Sequence, residues 1–308
     1  MTAGPHQPVL YQEIIQALQP HPRGRYVDAT LGAGGHAWGI LQASSPDGLL
    51  LGLDVDPHAL RLAAERLAPF GRRAILRRAS YTSLREQLQT LGWQQVDGIV
   101  LDLGLSSMQL DTPARGFSFR HDAPLDMRFD PDQHLTAAHL VNTLEEAALA
   151  DLLWRYGEER RARRVARAIV RHRPITTTRQ LAEIVAAVTT SGKRGMHPAT
   201  RTFQALRIAV NRELANVEAV LPQAIEALAP GGRLAVIAFH SLEDRLVKHY
   251  LRSVSDRCIC PPEMPFCDCA ARARVRLLKP FPVRPGEEEV ARNPRARSAR
   301  LRVAEKLA

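Results

Sequence analysis

The chain has 308 residues, 45% of them hydrophobic, which is enough for a large folded core and for two domains. The N-terminal segment shows no charged stretch followed by an apolar one, and no apolar run reaches membrane-spanning length, so we expect a cytoplasmic protein rather than a secreted or membrane protein. The formal net charge of +10 favours a polyanionic partner such as nucleic acid, with an arginine-rich genome as the alternative explanation.

The first third of the chain alternates short apolar runs with helical patterns. The candidate strands are residues 25–29, 49–54, 74–78 and 98–103. Between the second and the third strand, residues 57–68 have helical spacing, with Leu60, Ala64 and Leu67 on one face. This alternation predicts a parallel, doubly wound α/β sheet.

The first strand runs into the sequence DATLGAGGH, residues 28–36, and a helical pattern begins directly after it. Gly32, Gly34 and Gly35 permit positive φ angles and let a ligand approach the backbone without meeting a Cβ atom. A strand, a glycine turn and a helix N-terminus can form a pocket for part of a nucleotide. A tight structural turn is the alternative, because GAGGH differs from the GxGxxG of dinucleotide-binding proteins.

Acidic residues close the second and the fourth strand. Asp54 follows Gly32 by 22 residues and lies where a carboxylate can bind both hydroxyls of a ribose, whereas Asp56 is expected to cap a helix. Tyr81, after the third strand, is placed to cover an adenine or, alternatively, to pack in the core. Asp102 lies where a group donor would meet its acceptor, with capping of the next loop as the alternative.

The pattern changes after residue 108. Residues 109–199 contain no convincing strand, and strands resume with RLAVIAF at 233–239, so we predict a helical insertion within one α/β domain. Residues 298–306 alternate with period two, which predicts a last strand, antiparallel and at the edge of the sheet.

Two parts of the helical stretch are rich in arginine. The loop RGFSFRHDAPLDMRFD, residues 115–130, combines arginine with phenylalanine, which is typical of surfaces for single-stranded nucleic acid; a packed loop is the alternative. Farther on, one helix face carries Arg160, Arg164, Arg167 and Arg171, and the apolar stripe comprises Ala162, Val165, Ala166 and Ile169. We predict that these arginines contact the phosphates of a nucleic acid, with pairing to Glu158 and Glu159 as the alternative.

All four cysteines lie in CICPPEMPFCDC, residues 258–269. Two CxC pairs could supply four thiolates to a structural zinc ion, and an unligated loop is an equally good interpretation. We assign no metal to the chemistry of the protein.

Several motifs together resemble the bacterial RsmH/MraW family of ribosomal RNA methyltransferases. They are HQPVL (6–10), DATLGAGGH (28–36), LDVDP (53–57), LDLGLSS (101–107), RGFSF (115–119), PLDMR (124–128), YGEER (156–160), HPATRTFQALRIAVN (197–211), GGRLAVIAFHSLEDR (231–245) and ARNPRARSARLRVAE (291–305). In addition, ALAPGGRLAVIAF (227–239) resembles the approach to strand five of class I S-adenosylmethionine-dependent methyltransferases. The motifs follow one another over nearly the whole chain.

The resemblance implies a class I, Rossmann-like methyltransferase domain from residues 1–108 and 200–308, with an all-helical substrate-recognition domain, 109–199, inserted into it. It implies methyl transfer from S-adenosylmethionine to N4 of a cytosine in small-subunit (16S) ribosomal RNA, presented as RNA or as the small ribosomal subunit. The donor-binding residues that it implies are Gly34, Gly35, His36, Asp54, Tyr81, Asp102 and Gln109.

The N4 amine of cytosine needs acceptors that orient its protons. The Asp/Asn-Pro-Pro-aromatic motif that serves many amino-methyltransferases is absent, because residues 102–105 read DLGL. Asp102 is therefore the candidate catalytic residue, with His240 and Ser241 as alternatives. Two other functions are retained for comparison: a non-catalytic RNA-binding ribosome assembly factor with a donor-binding fold, and an NAD-dependent oxidoreductase, which lacks support because no second glycine fingerprint is found.

Overall fold

The computed structural model describes residues 8–189, 197–255 and 272–308, which divide into two compact units. The first unit comprises Met1–Gly104 and Leu214–Ala308, and the second comprises Leu105–Glu213. The strands are β1 (Arg25–Asp28), β2 (Leu49–Asp54), β3 (Ala74–Arg78), β4 (Val96–Asp102), β5 (Leu228–Ala238), β6 (Val275–Leu277) and β7 (Arg300–Lys306). The helices are α1 (Tyr11–Leu18), α2 (Gly35–Ala43), α3 (Pro57–Leu67), α4 (Leu84–Thr90), α5 (Ser107–Asp111), α6 (Ala137–Thr143), α7 (Glu146–Gly157), α8 (Ala162–Arg171), α9 (Thr178–Val188), α10 (Thr200–Asn211), α11 (Glu213–Ala227), α12 (Ser241–Ser255) and α13 (Glu287–Arg292).

The strands of the first unit form one seven-stranded sheet in the order β3-β2-β1-β4-β5-β7-β6. Strands β1 to β5 are parallel, and β7 pairs antiparallel with both β5 and β6. The prediction that the last strand is antiparallel is confirmed, but its predicted place at the edge is wrong, because β6 pairs outside it. With three residues, β6 is too short to show a periodic pattern in the sequence.

Both faces of this sheet are buried. Val27 and Ile99 pack with α4, α11 and α12 on one face, whereas Tyr26 and Val100 pack with α1, α2 and α3 on the other. Because successive residues of a strand point to opposite faces, strands that are apolar throughout require helices on both sides. The predicted doubly wound α/β fold is therefore confirmed.

Helix α3 has the predicted position but not the predicted buried face. Asp56 caps it as expected, since its Oδ1 accepts the N–H of His58 at 2.9 Å. The buried residues are Ala59, Ala63 and Leu67. Ala64, which was predicted to be buried, is exposed. Alanines occupy both positions, so the hydrophobic pattern does not distinguish the two neighbouring faces.

The second unit is helical and contains α5 to α10, with its own hydrophobic core. Its described residues form a single isolated β-bridge, between Pro124 and Thr177. The unit extends beyond the predicted 109–199 because α10 packs against α7: a Cβ atom on Gly157 would lie 2.6 Å from the carbonyl oxygen of Arg201. The apolar residues of α10 predict that one face of this helix is buried. The sequence pattern does not indicate whether that face packs in the core of the first or of the second unit.

Two further sequence-based points concern metal binding and membranes. The cysteine cluster at 258–269, for which zinc binding was considered, lies outside the described residues. Among the helices that the structure describes, none combines the length and the apolar character needed to cross a bilayer.

Candidate functional site

The turn between β1 and α2 depends on its glycines. Gly32 and Gly34 have φ angles of 51° and 76°, which other residues rarely adopt. A Cβ atom on Gly34 would lie 3.3 Å from the side chain of Leu67, and one on Gly35 would lie 2.3 Å from Cγ of Pro8. The backbone of the turn and its close packing therefore both require glycine.

Asp54 is bonded directly to this turn. Its Oδ2 accepts the N–H of Gly32 at 2.8 Å, and its Oδ1 accepts the N–H of Asp56 at 2.8 Å. Burial raises the pKa of the Asp54 carboxyl, although both hydrogen bonds oppose the rise. Because a carboxylate has about four lone-pair sites, each oxygen retains the capacity to accept a hydroxyl of a ligand.

A third carboxyl at this edge was missed in the sequence. Asp28 ends β1, is 1% exposed, and accepts the N–H of Thr30 at 3.3 Å. Burial, together with the negative charge of Asp54, raises the pKa of the Asp28 carboxyl to about 7. The signal was available, because Asp28 closes a parallel strand as Asp54 and Asp102 do, and the carboxyl ends of parallel strands share one edge.

Asp102 ends β4, the neighbour of β1. Its Oδ2 is 3.7 Å from Nδ1 of His36, and its Oδ1 is buried without a hydrogen-bond partner among the described residues. Burial, and then the negative charges of Asp28 and Glu243, raise the pKa of the Asp102 carboxyl to about 8. The side chain as a whole is 27% exposed, so a ligand can approach it. A buried oxygen without a partner is costly, which indicates that a ligand supplies one.

His36 lies between the turn and Asp102 and is 4% exposed. A carbonyl can only accept, so Nε2 of His36 carries the proton and donates to the carbonyl oxygen of Val9 at 3.0 Å. Burial lowers the pKa of the imidazole to about 4, so the ring is neutral at pH 7. A neutral imidazole directs the lone pair of Nδ1 toward Asp102 and does not compensate its charge.

The electrostatics of this edge fit a cationic nucleoside donor. The charged groups that shift the pKa of Asp102 are Asp28 and Glu243, and both are negative. A sulfonium ion carries a positive charge, which would compensate the negative charge of these carboxyls. S-adenosylmethionine combines a sulfonium with a ribose, for which Asp54 has unused acceptor capacity.

The two alternative acceptors, His240 and Ser241, follow β5 at the start of α12. Nδ1 of His240 accepts the N–H of Glu243 at 3.4 Å, and its Nε2 lies 3.1 Å from Oε1 of the same residue without hydrogen-bond alignment. Both ring nitrogens thus face Glu243 within one turn of α12. This arrangement favours a structural role for His240.

The other two residues assigned to the donor lie in different units. Tyr81 follows β3 in the first unit and is half-buried against the core, consistent with the packing alternative. Gln109 belongs to the second unit, where it forms a capping box with Ser106 at the start of α5. Its Oε1 accepts the N–H of Ser106 at 3.1 Å, which leaves the side-chain NH₂ group to donate elsewhere.

The loop at 115–130 is packed, as the alternative interpretation predicted. Its three phenylalanines belong to the core of the second unit. Arg115 donates to the carbonyl oxygens of Arg128 and Phe129, and Arg128 binds Asp126 at 2.7 Å. Of the three arginines in this loop, Arg120 is the exposed one. The loop therefore does not form the stacking surface that its composition suggested.

Helix α8 presents the predicted arginine face. The buried stripe is confirmed at Ala162, Val165, Ala166 and Ile169. Arg164, Arg167 and Arg171 are exposed on this helix. Arg160 is also exposed, but its predicted place on the helix face is wrong, because α8 begins only at Ala162. Arg167 pairs with Glu146 at 3.3 Å, whereas Glu159 is buried and accepts the N–H of Arg161. The other three arginines form no ion pair with any residue that the structure describes.

Comparison with known proteins gives matches along the whole chain. Residues 3–307 match the model of the MraW methylase family. The ribosomal RNA small subunit methyltransferase H of Dehalococcoides mccartyi is 52% identical over 308 residues, which cover 100% of this chain and 88% of that protein. The protein of the same name from Thermomicrobium roseum is 53% identical over 306 residues, covering 98% of this chain and 94% of its own.

Among solved structures, a protein from Streptococcus mutans in complex with SAH aligns with a TM-score of 0.46 and 11% identity, covering 98% of this chain and 100% of its own. Membership of a methylase family is incompatible with the oxidoreductase alternative. On the match from residue 3 to residue 307 and the identity to relatives of nearly equal length, the chain belongs to the MraW methylase family.

Proposed function

We propose that the protein transfers the methyl group of S-adenosylmethionine to N4 of a cytosine in small-subunit (16S) ribosomal RNA, in the cytoplasm. The whole-length relatives named ribosomal RNA small subunit methyltransferase H support the substrate. The observation that carries the donor site is the buried, unpartnered Oδ1 of Asp102 beside a glycine turn and two further carboxyls.

The donor is held at the carboxyl edge of the first unit's sheet. The residues assigned to it are Gly34, Gly35, His36, Asp54, Tyr81, Asp102 and Gln109. Asp54 accepts the ribose hydroxyls, since a carboxylate has about four lone-pair sites and the N–H groups of Gly32 and Asp56 occupy only one on each oxygen at 2.8 Å. The first N–H groups of α2 have no partner within the helix and favour a carboxylate, such as that of the donor's methionine moiety.

Asp102 orients the amine that is methylated. Bound S-adenosylmethionine supplies an activated methyl group on a sulfonium ion. The N4 lone pair of cytosine is delocalised into the ring, so the amine must be held in line and its developing positive charge stabilised. The Oδ1 of Asp102 accepts a hydrogen bond from the amine. The positive charge of the bound donor favours the ionised form of Asp102, and this carboxylate, whose pKa burial raises, can take up the proton that the amine releases.

Incubation of the protein with labelled donor tests this proposal. Deproteinised small-subunit RNA and intact small subunits are offered separately, and the RNA is digested to nucleosides. We expect labelled N4-methylcytidine from at least one of the two. Label in a different nucleoside would contradict the assigned acceptor atom, and absence of label from both substrates would contradict RNA methylation.

We also propose that the second unit recognises the RNA through the arginine face of α8. Arg164 and Arg171 of this face form no ion pair with the described residues, so they can neutralise phosphates without first breaking a bond within the protein. Each phosphate contact releases counterions and makes binding more sensitive to salt. The face therefore contributes affinity for RNA and leaves donor binding unaffected.

The double variant Arg164→Glu/Arg171→Glu tests this face. We expect weaker RNA binding and a shallower dependence of affinity on salt, measured by filter binding at several salt concentrations. The control is Arg61→Glu/Arg72→Glu, which makes the same change of charge at exposed positions of the first unit. Equal losses in the two double variants would indicate an effect of net charge alone and would reject the arginine face.

A further inference from the structure

The segment that precedes α1 packs against the donor turn at two points. The ring of Pro8 covers Gly35 so closely that a Cβ atom there would lie 2.3 Å from Cγ of the proline. The carbonyl oxygen of Val9 accepts the Nε2–H of His36 at 3.0 Å in a buried position. These two contacts fix the position of the turn backbone at Gly35 and the orientation of the imidazole that faces Asp102.

The next residue, Leu10, holds this segment in an uncommon conformation. Its φ and ψ angles are 54° and 36°, in the left-handed region that branched residues avoid. The side chain is fully buried, and its carbonyl oxygen accepts the N–H of Ile14 at 2.9 Å, so the turn leads directly into α1. A strained conformation of this kind persists only where surrounding contacts impose it.

The contact that engages the backbone N–H of Leu10 comes from the other end of the chain. Oε1 of Glu289, in α13, accepts this N–H at 2.8 Å across a separation of 279 residues. Beside the contact lies a cavity of about 410 Å³, bordered by Pro8, Tyr11, Glu288 and Glu289 among others. The hydrogen bond from Glu289 thus joins the packing of the buried Leu10 side chain in restraining this conformation.

We propose that Glu289 is a positioning residue for the donor site, which it serves by fixing Leu10 and thereby the contacts of Pro8 and Val9 with the donor turn. The inference rests on the proposed donor site at His36. The hydrogen bond of Glu289 is to Leu10, and that of His36 is to Val9, so Glu289 acts through the segment 8–10. Loss of its carboxyl group lets Leu10 relax toward a commoner conformation, which withdraws the Val9 carbonyl from His36 and releases the imidazole.

Three variants distinguish positioning from a general structural role. Glu289→Ala removes the acceptor and is expected to weaken S-adenosylmethionine binding about 5- to 10-fold, the equivalent of one lost hydrogen bond. Glu289→Gln retains an acceptor oxygen at the same length and is expected to bind within about twofold of the wild type. Glu288→Ala, at the adjacent position bordering the same cavity, is the matched control and should also stay within twofold.

Calorimetry measures the affinities, and steady-state methylation of RNA separates KM from kcat. We expect Glu289→Ala to raise KM for the donor with little change in kcat, because the bound donor still meets an intact Asp102. Wild-type affinity in Glu289→Ala, an equal loss in Glu289→Gln or Glu288→Ala, or a fall in kcat at constant KM would each overturn the proposal. If Glu289→Ala does not fold, Glu289→Asp replaces it in the comparison. The side chain of aspartate is one methylene shorter, so its carboxyl lies farther from the N–H of Leu10.

The same measurements distinguish a failure of the role of Glu289 from a failure of the donor site on which that role depends. A well-folded wild-type protein that takes up no S-adenosylmethionine would refute the donor site itself. A wild type that binds the donor, together with a Glu289→Ala variant that binds it equally well, would refute only the role of Glu289.

Discussion

Two desolvated carboxyls in the first unit, Asp102 and Asp244, have opposite electrostatic surroundings. At the carboxyl edge of the sheet, Asp102 is desolvated beside other negative groups, and its pKa is raised to about 8. Where β7 passes α12, Asp244 binds Arg300 at 2.7 Å and Arg302 at 2.8 Å. Burial acts to raise the pKa of Asp244 as well, but the two guanidinium groups outweigh it and hold that pKa below its usual value.

The difference shows how the same kind of residue serves stability in one place and ligand binding in another. A buried charge that the protein itself neutralises joins two elements of the fold, here α12 and β7. A buried charge that has no protein cation destabilises the free protein, and it is retained where a ligand provides the counter-charge. Three measurements can break or sharpen this distinction.

Removal of Asp244 should be the most damaging change. Asp244→Ala leaves the guanidinium of Arg302, which is 4% exposed, without its buried partner, and is expected to lower the free energy of unfolding by about 3–5 kcal/mol. Denaturant titration measures the loss. The control is Glu65→Ala, which removes an exposed pair with Arg61 and should cost no more than about 1 kcal/mol. Similar losses in the two variants would contradict the assigned role of Asp244.

The reverse is expected at Asp102. Asp102→Asn should weaken S-adenosylmethionine binding by about 10- to 100-fold, since an interaction with a charged group contributes about 1.5–3 kcal/mol. It should not lower the free energy of unfolding of the free protein, because an amide is neutral without taking up a proton and so avoids the cost of protonating the carboxyl at pH 7. Calorimetry and denaturant titration give the two values. Asp97→Asn, at the opposite end of β4, is the control and should bind the donor normally; unchanged affinity in Asp102→Asn would refute the assignment.

The two sites should also differ in the pH at which they affect stability. The pKa values of Asp28 and Asp102 are about 7 and about 8, above the value of about 3.9 in the unfolded chain. The folded state therefore binds more protons in this window, and stability falls as the pH rises through it, by at most about 1.4 kcal/mol per pH unit for each carboxyl. For Asp244, whose pKa is lowered, the stabilisation is instead lost as the pH falls below the unfolded value.

Denaturant titrations of the free protein between about pH 5 and about pH 8 measure this effect. Asp102→Asn is expected to flatten the decline, because it removes one of the two titrating carboxyls. The matched variant Asp97→Asn should retain the wild-type slope. An equal slope in Asp102→Asn would contradict the raised pKa of Asp102 in the free protein.

Much of the α/β fold was predictable because it depends on local apolar runs. β1 to β5, the position of α3 and the buried stripe of α8 could all be located from periodicity. The failures occur where local pattern is insufficient: α3 has alanine at both Ala63 and Ala64, and β6 is three residues long. The helix α10 shows a third case, since its apolar face predicts burial without specifying which core receives it.

For the candidate site, residue types along the chain indicated where acidic groups would cluster. The glycine turn and the acids that close β2 and β4 have a recognisable order, because parallel strands bring their carboxyl ends to one edge. Asp28, which closes β1, follows the same order. The folded arrangement alone established that burial lowers the pKa of His36 and that Glu289 reaches Leu10 from 279 residues away. Protonation and long-range hydrogen bonds depend on burial and on which groups become neighbours, and neither follows from the spacing of residues along a chain.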